Sequence, residues 1–210
     1  MISHVQLPRL YAILDTSFFT ADDALFHYAR ELALAGVRLL QYRNKHGNSR
    51  QMLSHARELR RVVDSAAGVG QATLIMNDRA DLCLAAGFDG VHVGQDDLSP
   101  EGARMAIGPE RWLGISTHNP EQVRIADQTD ATYIAVGPVF ATRSKANPDP
   151  MIGLEGVRVA RALTRKPLVA IGGITRKNFR EVLEAGADSV AIISDLLEDP
   201  KSAGHFETRT

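Results

Sequence analysis

Eight short apolar runs recur along this chain, separated by longer amphipathic stretches, and that alternation constrains the fold more than any other feature of the sequence. The runs are Leu10 to Leu14, Val37 to Tyr42, Thr73 to Met76, Gly90 to Val93, Trp112 to Ile115, Tyr133 to Val136, Leu168 to Ile171 and Ser189 to Ile193. Short runs with no polar alternation read as strands buried on both faces, and the stretches between them as the crossover helices that parallel pairing requires. Helical candidates are Ala21 to Ala35, Arg50 to Ala66, Asp81 to Ala86, Pro120 to Gln128, Leu154 to Leu163 and Lys177 to Ala185. Ser49 and Thr175 stand where N-cap oxygens are expected. An Ala-Gly pair closes three of the helices, at Ala35-Gly36, Ala86-Gly87 and Ala185-Gly186. Those glycines are 51 and 99 residues apart, or two and four units of the roughly 26 residues that eight equal βα units allow.

An open doubly wound sheet also alternates strands and helices, but no G-x-G-x-x-G follows the first run. Eight regular units suit closure, so the fold expected is a single (β/α)8 barrel over residues 1–210, an α/β architecture with one core. The last unit is weak. Leu196 to Thr210 carries Asp199-Pro200 and Gly204 and little apolar surface, so a short or frayed last helix is expected.

Composition narrows the function. The net charge is -1, with 24 Lys and Arg against 25 Asp and Glu spread along the chain, so no broad basic face exists to hold nucleic acid or an anionic membrane. Small-molecule substrates remain as partners. The one cysteine, Cys83, lies inside the apolar run Leu82 to Ala86 and reads as a small buried hydrophobe. The opening MISHVQLPRLYAIL lacks the charged leader and apolar stretch of a signal peptide, and no segment has transmembrane length, so a cytoplasmic location is expected.

Barrel active sites gather at the carboxyl ends of the strands, which directs attention to the polar residues after each run. The second run leads into Gln41-x-Arg43-x-Lys45, whose period of two along extended chain points an amide and two cations at one wall, which suits an oligophosphate and reads equally as an ordinary solvated strand end. The third leads into Asn77-Asp78-Arg79 and the fourth into Gly94-Gln95-Asp96-Asp97. Two carboxylates on neighbouring strand ends beside a cationic wall suit Mg2+, which takes one or two carboxylates together with phosphate oxygens and water. Asp78 reads equally as a helix N-cap, and Asp97 as an acceptor within its loop. The fifth run ends in Ser116-Thr117-His118. After the sixth comes an aperiodic loop bearing Thr142-Arg143-Ser144-Lys145, which has the character of a lid over phosphate. Gly172-Gly173 and Ile193-Ser194 follow the seventh and eighth runs, where barrels commonly bind a monophosphate through backbone amides. His92, inside the fourth run, reads as a satisfied structural histidine. No Cys/His cluster has zinc spacing, and no G-x-S-x-G elbow is present.

The ordered set QYRNK at 41–45, MNDRADLCLAAGFDGVHVGQDDL at 76–98, GISTHN at 114–119, GPVFATRSK at 137–145, GLEG at 153–156, AIGGIT at 170–175 and GADSVAIIS at 186–194 resembles the thiamine-phosphate synthase family. That family is a transferase family, joining a hydroxymethylpyrimidine diphosphate to a thiazole phosphate with Mg2+ and releasing diphosphate. The resemblance implies that Gln41, Arg43, Lys45, Asn77, Ser116 and Lys145 hold the pyrimidine diphosphate, with Arg43, Lys45, Ser116 and Lys145 as the catalytic set. It implies that Asp78 and Asp97 hold the metal, and that Thr142, Arg143, Ser144, Gly173, Ile193 and Ser194 hold the thiazole phosphate. Asn44 departs from the acidic residue common in the family, and Ser144 from the usual Thr. Two other readings stand beside this one. A thiazole tautomerase of the same fold would use a histidine at the position of His118 and tends to lack the acid pair; a silent barrel would bind a thiamine precursor without turnover.

Overall fold

The structure, a computed structural model, describes residues 5–142 and 150–206. Eight parallel strands close into a barrel in sequence order: β1 (Leu10–Asp15), β2 (Leu39–Arg43), β3 (Thr73–Asn77), β4 (Gly90–Val93), β5 (Trp112–Thr117), β6 (Tyr133–Val136), β7 (Leu168–Ile171) and β8 (Ser189–Ile192). Closure is made by β8 pairing with β1, where Leu10 stands opposite Val190. Among the described residues seven α-helices lie between the strands: α1 (Asp22–Leu34), α2 (Ser49–Ala67), α3 (Ala80–Ala86), α4 (Pro100–Ile107), α5 (Pro120–Asp127), α6 (Gly153–Leu163) and α7 (Phe179–Glu184).

The strand period of two sorts the apolar residues into two cores. Leu10, Ala12, Leu14, Leu40, Leu74, Met76 and Val91 point outward and pack under the helices in one cluster. Tyr11, Ile13, Leu39, Ile75, Tyr133, Ala135, Val169 and Ala191 point inward and fill the barrel in a second. The helices answer with their own period. In α2 the buried residues are Met52, His55, Ala56, Leu59, Val62 and Val63, spaced to form one stripe against the sheet. Leu59 is fully buried there, a position where truncation to Ala costs about 2–5 kcal/mol.

Several boundaries differ from expectation for local reasons. The second strand begins at Leu39 because Val37, past the end of α1, is still tied to its C-terminal cap, its N–H donating to the carbonyl of Leu32 at 3.0 Å. Asn48, not Ser49, caps α2, its side chain accepting from the N–H of Gln51 at 3.0 Å. Thr175 does not cap α7, which starts at Phe179; its backbone N–H instead donates to the side chain of Asn178. Helix α4 is an addition, started by Ser99 as cap and Pro100 in the first turn, and its stripe holds only Ala103 and Ile107. Among the described residues, β8 is followed not by an eighth α-helix but by a 3-10 helix, Pro200–Phe206, whose Phe206 is buried against Phe179 with ring centroids 4.5 Å apart. Gly87 takes the left-handed conformation, φ 67°, that terminates α3.

Candidate active site

The carboxyl ends of the strands surround one cavity of about 950 Å3. Gln41, Arg43, Lys45, Asn77, Asp78, Asp97, Ser116, His118, Thr142, Gly173, Ile193 and Ser194 all line it. Arg143, Ser144 and Lys145 lie outside the described residues. A second depression, of about 590 Å3, opens among Thr132, Lys166 and Pro167 at the amino ends of β6 and β7. That is the end of a barrel concerned with stability rather than chemistry.

Each cation of the β2 wall is matched by a carboxylate. Asp15 and Arg43 stand opposite each other in the β1–β2 register, and the Arg43 guanidinium donates to the Asp15 carboxylate. Asp15 is only 2% exposed, and it also accepts from the N–H of Ser17 at 3.0 Å and its hydroxyl at 2.7 Å. Arg43 is therefore held on two sides, by the strand and by a fixed anion. The sequence reading left Asp15 without a role. One signal was available, an acidic residue closing an otherwise apolar run at a strand end.

Lys45 extends further into the cavity and bonds Asp78 at 2.5 Å. Asp78 occupies a backbone conformation that non-glycine residues rarely adopt, φ 62°, at a cost of order 1–3 kcal/mol. It does not cap α3: the preceding residue of that helix is Arg79, and the Asp78 carboxylate faces Lys45 and Asp97. Burial pushes the Asp78 carboxyl above the ordinary range, Lys45 draws it back, and the neighbouring Asp97 raises it again. Asp97 also accepts from the N–H of Gly94 at 2.8 Å, so it is a loop acceptor as well as a wall of the cavity. Among the described residues no group of three or more His, Cys, Asp or Glu gathers as a metal cage. Two crowded carboxylates with space beside them suit a hard cation that brings its remaining oxygens from substrate and water.

Beneath these charges the barrel interior is polar in one thread. Gln41 Nε2 donates to Tyr11 Oη at 2.7 Å, Tyr11 Oη meets Tyr133 Oη at 2.9 Å, Tyr133 Oη meets His92 Nδ1 at 3.0 Å, and His92 Nε2 meets Ser116 Oγ at 2.8 Å. Burial holds both phenols well above their ordinary range and lowers His92 to about 4, so all three are neutral. Tyr11 and Tyr133 escaped the sequence reading because each passes as an apolar member of its run. Next to Ser116 in sequence space, His118 lies at the rim with Nδ1 2.7 Å from the carbonyl of Gly137, which makes that nitrogen the donor.

At the far side, Val139 and Phe140 of the β6–α6 loop donate to the carbonyls of Ile171 and Gly172. A Cβ on Gly173, at φ 63°, would collide with the Ala141 carbonyl and Phe140. Glycine is required there by the loop that crosses it as much as by any anion. The N–H groups of Gly173 and Ser194 donate to no acceptor among the described residues, and both residues line the cavity just after β7 and β8. Unbonded backbone amides on a cavity wall are groups that an anion can satisfy.

The family model of thiamine monophosphate synthase matches residues 10–196. The chain belongs to the thiamine monophosphate synthase family. It is 60% identical over 204 residues to the thiamine-phosphate synthase of Koribacter versatilis (strain Ellin345), covering 96% of this chain and 94% of the relative. It is 42% identical to that of Chloroflexus aurantiacus, covering 92% and 87%. Among solved structures, the thiamine phosphate pyrophosphorylase of Pyrococcus furiosus superposes with a TM-score of 0.81 at 32% identity, over 95% of this chain and 93% of the other. Membership in this synthase family makes the chain a transferase, and its barrel is the family's.

Proposed function

We propose that this chain joins 4-amino-2-methyl-5-hydroxymethylpyrimidine diphosphate to a thiazole phosphate, forming thiamine phosphate and releasing diphosphate. The observation that carries this reading is that Lys45, Asp78 and Asp97 line the same cavity as Gly173 and Ser194, whose backbone N–H groups donate to no acceptor among the described residues. One cavity thus offers a diphosphate-and-metal end and a monophosphate end.

The reacting carbon of the pyrimidine is benzylic in type. Its C–O bond breaks with both electrons leaving on diphosphate, the ring stabilises the cation that remains, and the thiazole nitrogen lone pair forms the new C–N bond. No protein nucleophile is needed. Arg43 and Lys45 neutralise the departing diphosphate, with Gln41, Asn77 and Ser116 orienting the pyrimidine; Asp15 keeps Arg43 in place. Ile13, Val169, Ile171 and Ala191 form an apolar floor that keeps water from the cation. Asp78 and Asp97 would hold Mg2+, which supplies charge compensation to the leaving diphosphate when bound. Thr142, Gly173, Ile193 and Ser194 hold the thiazole phosphate. By family resemblance Lys145 joins the first set and Arg143 and Ser144 the second.

Mass spectrometry of thiamine phosphate formed from the two substrates, with and without Mg2+, tests the proposal. Product should require both substrates and the metal, and Asp78→Asn or Lys145→Ala should remove most turnover in folded protein. Near-normal diphosphate release by either variant would overturn it. Conversion of the thiazole phosphate alone, with no diphosphate released, would identify a tautomerase instead.

A further inference from the structure

We propose that Tyr133, together with Tyr11 and His92, is a positioning group that couples the two ends of the buried thread, so that Gln41 and Ser116 always show the cavity one hydrogen-bond acceptor and one donor. The reasoning is a count of protons. The thread Gln41–Tyr11–Tyr133–His92–Ser116 contains four hydrogen bonds. Its three inner members hold one mobile proton each, two phenolic and one imidazole. Four bonds need four protons, so one end of the thread donates inward and the other accepts.

The amide of Gln41 donates through Nε2 to Tyr11. Tyr11 must then donate to Tyr133, Tyr133 to His92 Nδ1, and His92 through Nε2–H to Ser116. Ser116 keeps its own proton for the cavity, and Gln41 keeps its carbonyl oxygen. If Gln41 accepted instead, every bond would reverse, Ser116 would donate inward, and the cavity would meet an amide N–H and a hydroxyl lone pair. A mixed arrangement leaves a buried donor or acceptor unpaired, which costs its full desolvation. Neutrality of all three inner groups, which their burial enforces, keeps the count at three. The packing is built around this thread. His92 and Tyr133 stack with centroids 5.6 Å apart, Tyr11 meets Tyr133 edge-on at 5.9 Å, and a Cβ on Gly114 would collide with both Tyr133 Oη and His92 Nδ1. An acceptor paired with a donor suits a heterocycle bearing an amino group beside a ring nitrogen. That last step rests on the pyrimidine substrate proposed above; the coupling itself does not.

The experiment reads the tautomer of His92 by nitrogen-15 NMR on substrate-free protein. Wild type should show the neutral Nε2–H form. Gln41→Glu, whose carboxylate has no proton to give, should switch His92 to Nδ1–H from the other end of the thread. Adding Tyr133→Phe to Gln41→Glu should abolish the switch; Tyr11→Phe cuts the thread one link earlier and serves if the first double variant does not fold. The same tautomer in wild type and Gln41→Glu, or a switch that survives both cuts, overturns the coupling. Kinetically, Tyr133→Phe alone should raise KM for the pyrimidine diphosphate about tenfold, the worth of one hydrogen bond of about 1.4 kcal/mol, with kcat changed less than about threefold. A switching tautomer in a protein that makes no thiamine phosphate would uphold the coupling and overturn only the proposed function.

Discussion

Truncating Arg43 to Ala should destabilise this protein far more than truncating Lys45, although both cations belong to one wall. The difference lies in the partners. The Asp15 carboxylate is 2% exposed, whereas the side chains of Asp78 and Lys45 are 19% and 43% exposed. Without Arg43, Asp15 is a buried anion left with two neutral donors from Ser17. Breaking a buried pair from one side costs about 3–5 kcal/mol, and the surviving Ser17 bonds hold the cost to the lower end, about 3 kcal/mol. For Lys45 the exposed pair is worth at most about 1 kcal/mol. In a domain of this size each kcal/mol moves the melting midpoint by about 2–4 °C, so Arg43→Ala should lose about 6–12 °C and Lys45→Ala no more than about 4 °C. Differential scanning calorimetry reads both. Asp15→Asn added to Arg43→Ala removes the stranded charge and should recover at least half of the loss. Equal midpoints for the two single variants, or no recovery in the double variant, would refute the view that Asp15 is an anion fixed to hold Arg43.

Three further outcomes are expected. Mg2+ with inorganic diphosphate should raise the melting midpoint, with about 2.7 kcal/mol of stabilisation at a hundredfold excess over Kd, and Asp78→Asn or Asp97→Asn should abolish the rise; an unchanged rise in both variants would remove them from the metal site. Gly173→Ala, which places a Cβ against the Ala141 carbonyl at φ 63°, should raise KM for the thiazole phosphate at least tenfold while leaving that for the pyrimidine diphosphate within about twofold, and equal effects on the two would count against separate phosphate ends. Burial pushes the Cys83 thiol up to about 11, so a thiol reagent at pH 8 should label native protein only as fast as it unfolds and label denatured protein at once. Because the folded thiol holds its proton more tightly than the unfolded one, its contribution to stability is complete below about pH 8.5 and is lost as pH rises through 11.

The strands were legible because parallel strands in a barrel are buried on both faces and leave unbroken apolar runs, and all eight runs overlap the observed strands. Helix α4 was not, although its start signals, Ser99 as cap and Pro100 in the first turn, stand in the sequence; at eight residues with two buried positions, Ala103 and Ile107, it is short enough to pass for a loop. Cap residues slipped by position because polar neighbours such as Asn48 and Ser49 are equally able to cap, and only the backbone conformation decides between them. Much of the candidate site was legible by the rule that polar residues after a strand face the carboxyl end, which brings Gln41, Arg43, Lys45, Asp78 and Asp97 to one cavity.

What escaped the sequence depends on register. Asp15 meets Arg43 because β1 and β2 pair with those two residues opposite each other, a fact that no reading of either strand alone contains. Tyr11 and Tyr133 are 122 residues apart in the chain, and their hydroxyls touch only because closure brings β1 and β6 to face across one interior. The apolar body of a tyrosine is what a run-based reading detects, yet inside a barrel the hydroxyl must find a partner or cost about 1–3 kcal/mol. That requirement links Tyr133 to Tyr11 and His92, which line the cavity, and through them to Gln41 and Ser116. In this barrel Tyr133, just below the cavity that Tyr11 and His92 line, is therefore part of the candidate site: a phenol-to-phenyl change there keeps the packing and alters which hydrogen bonds Gln41 and Ser116 have left to offer.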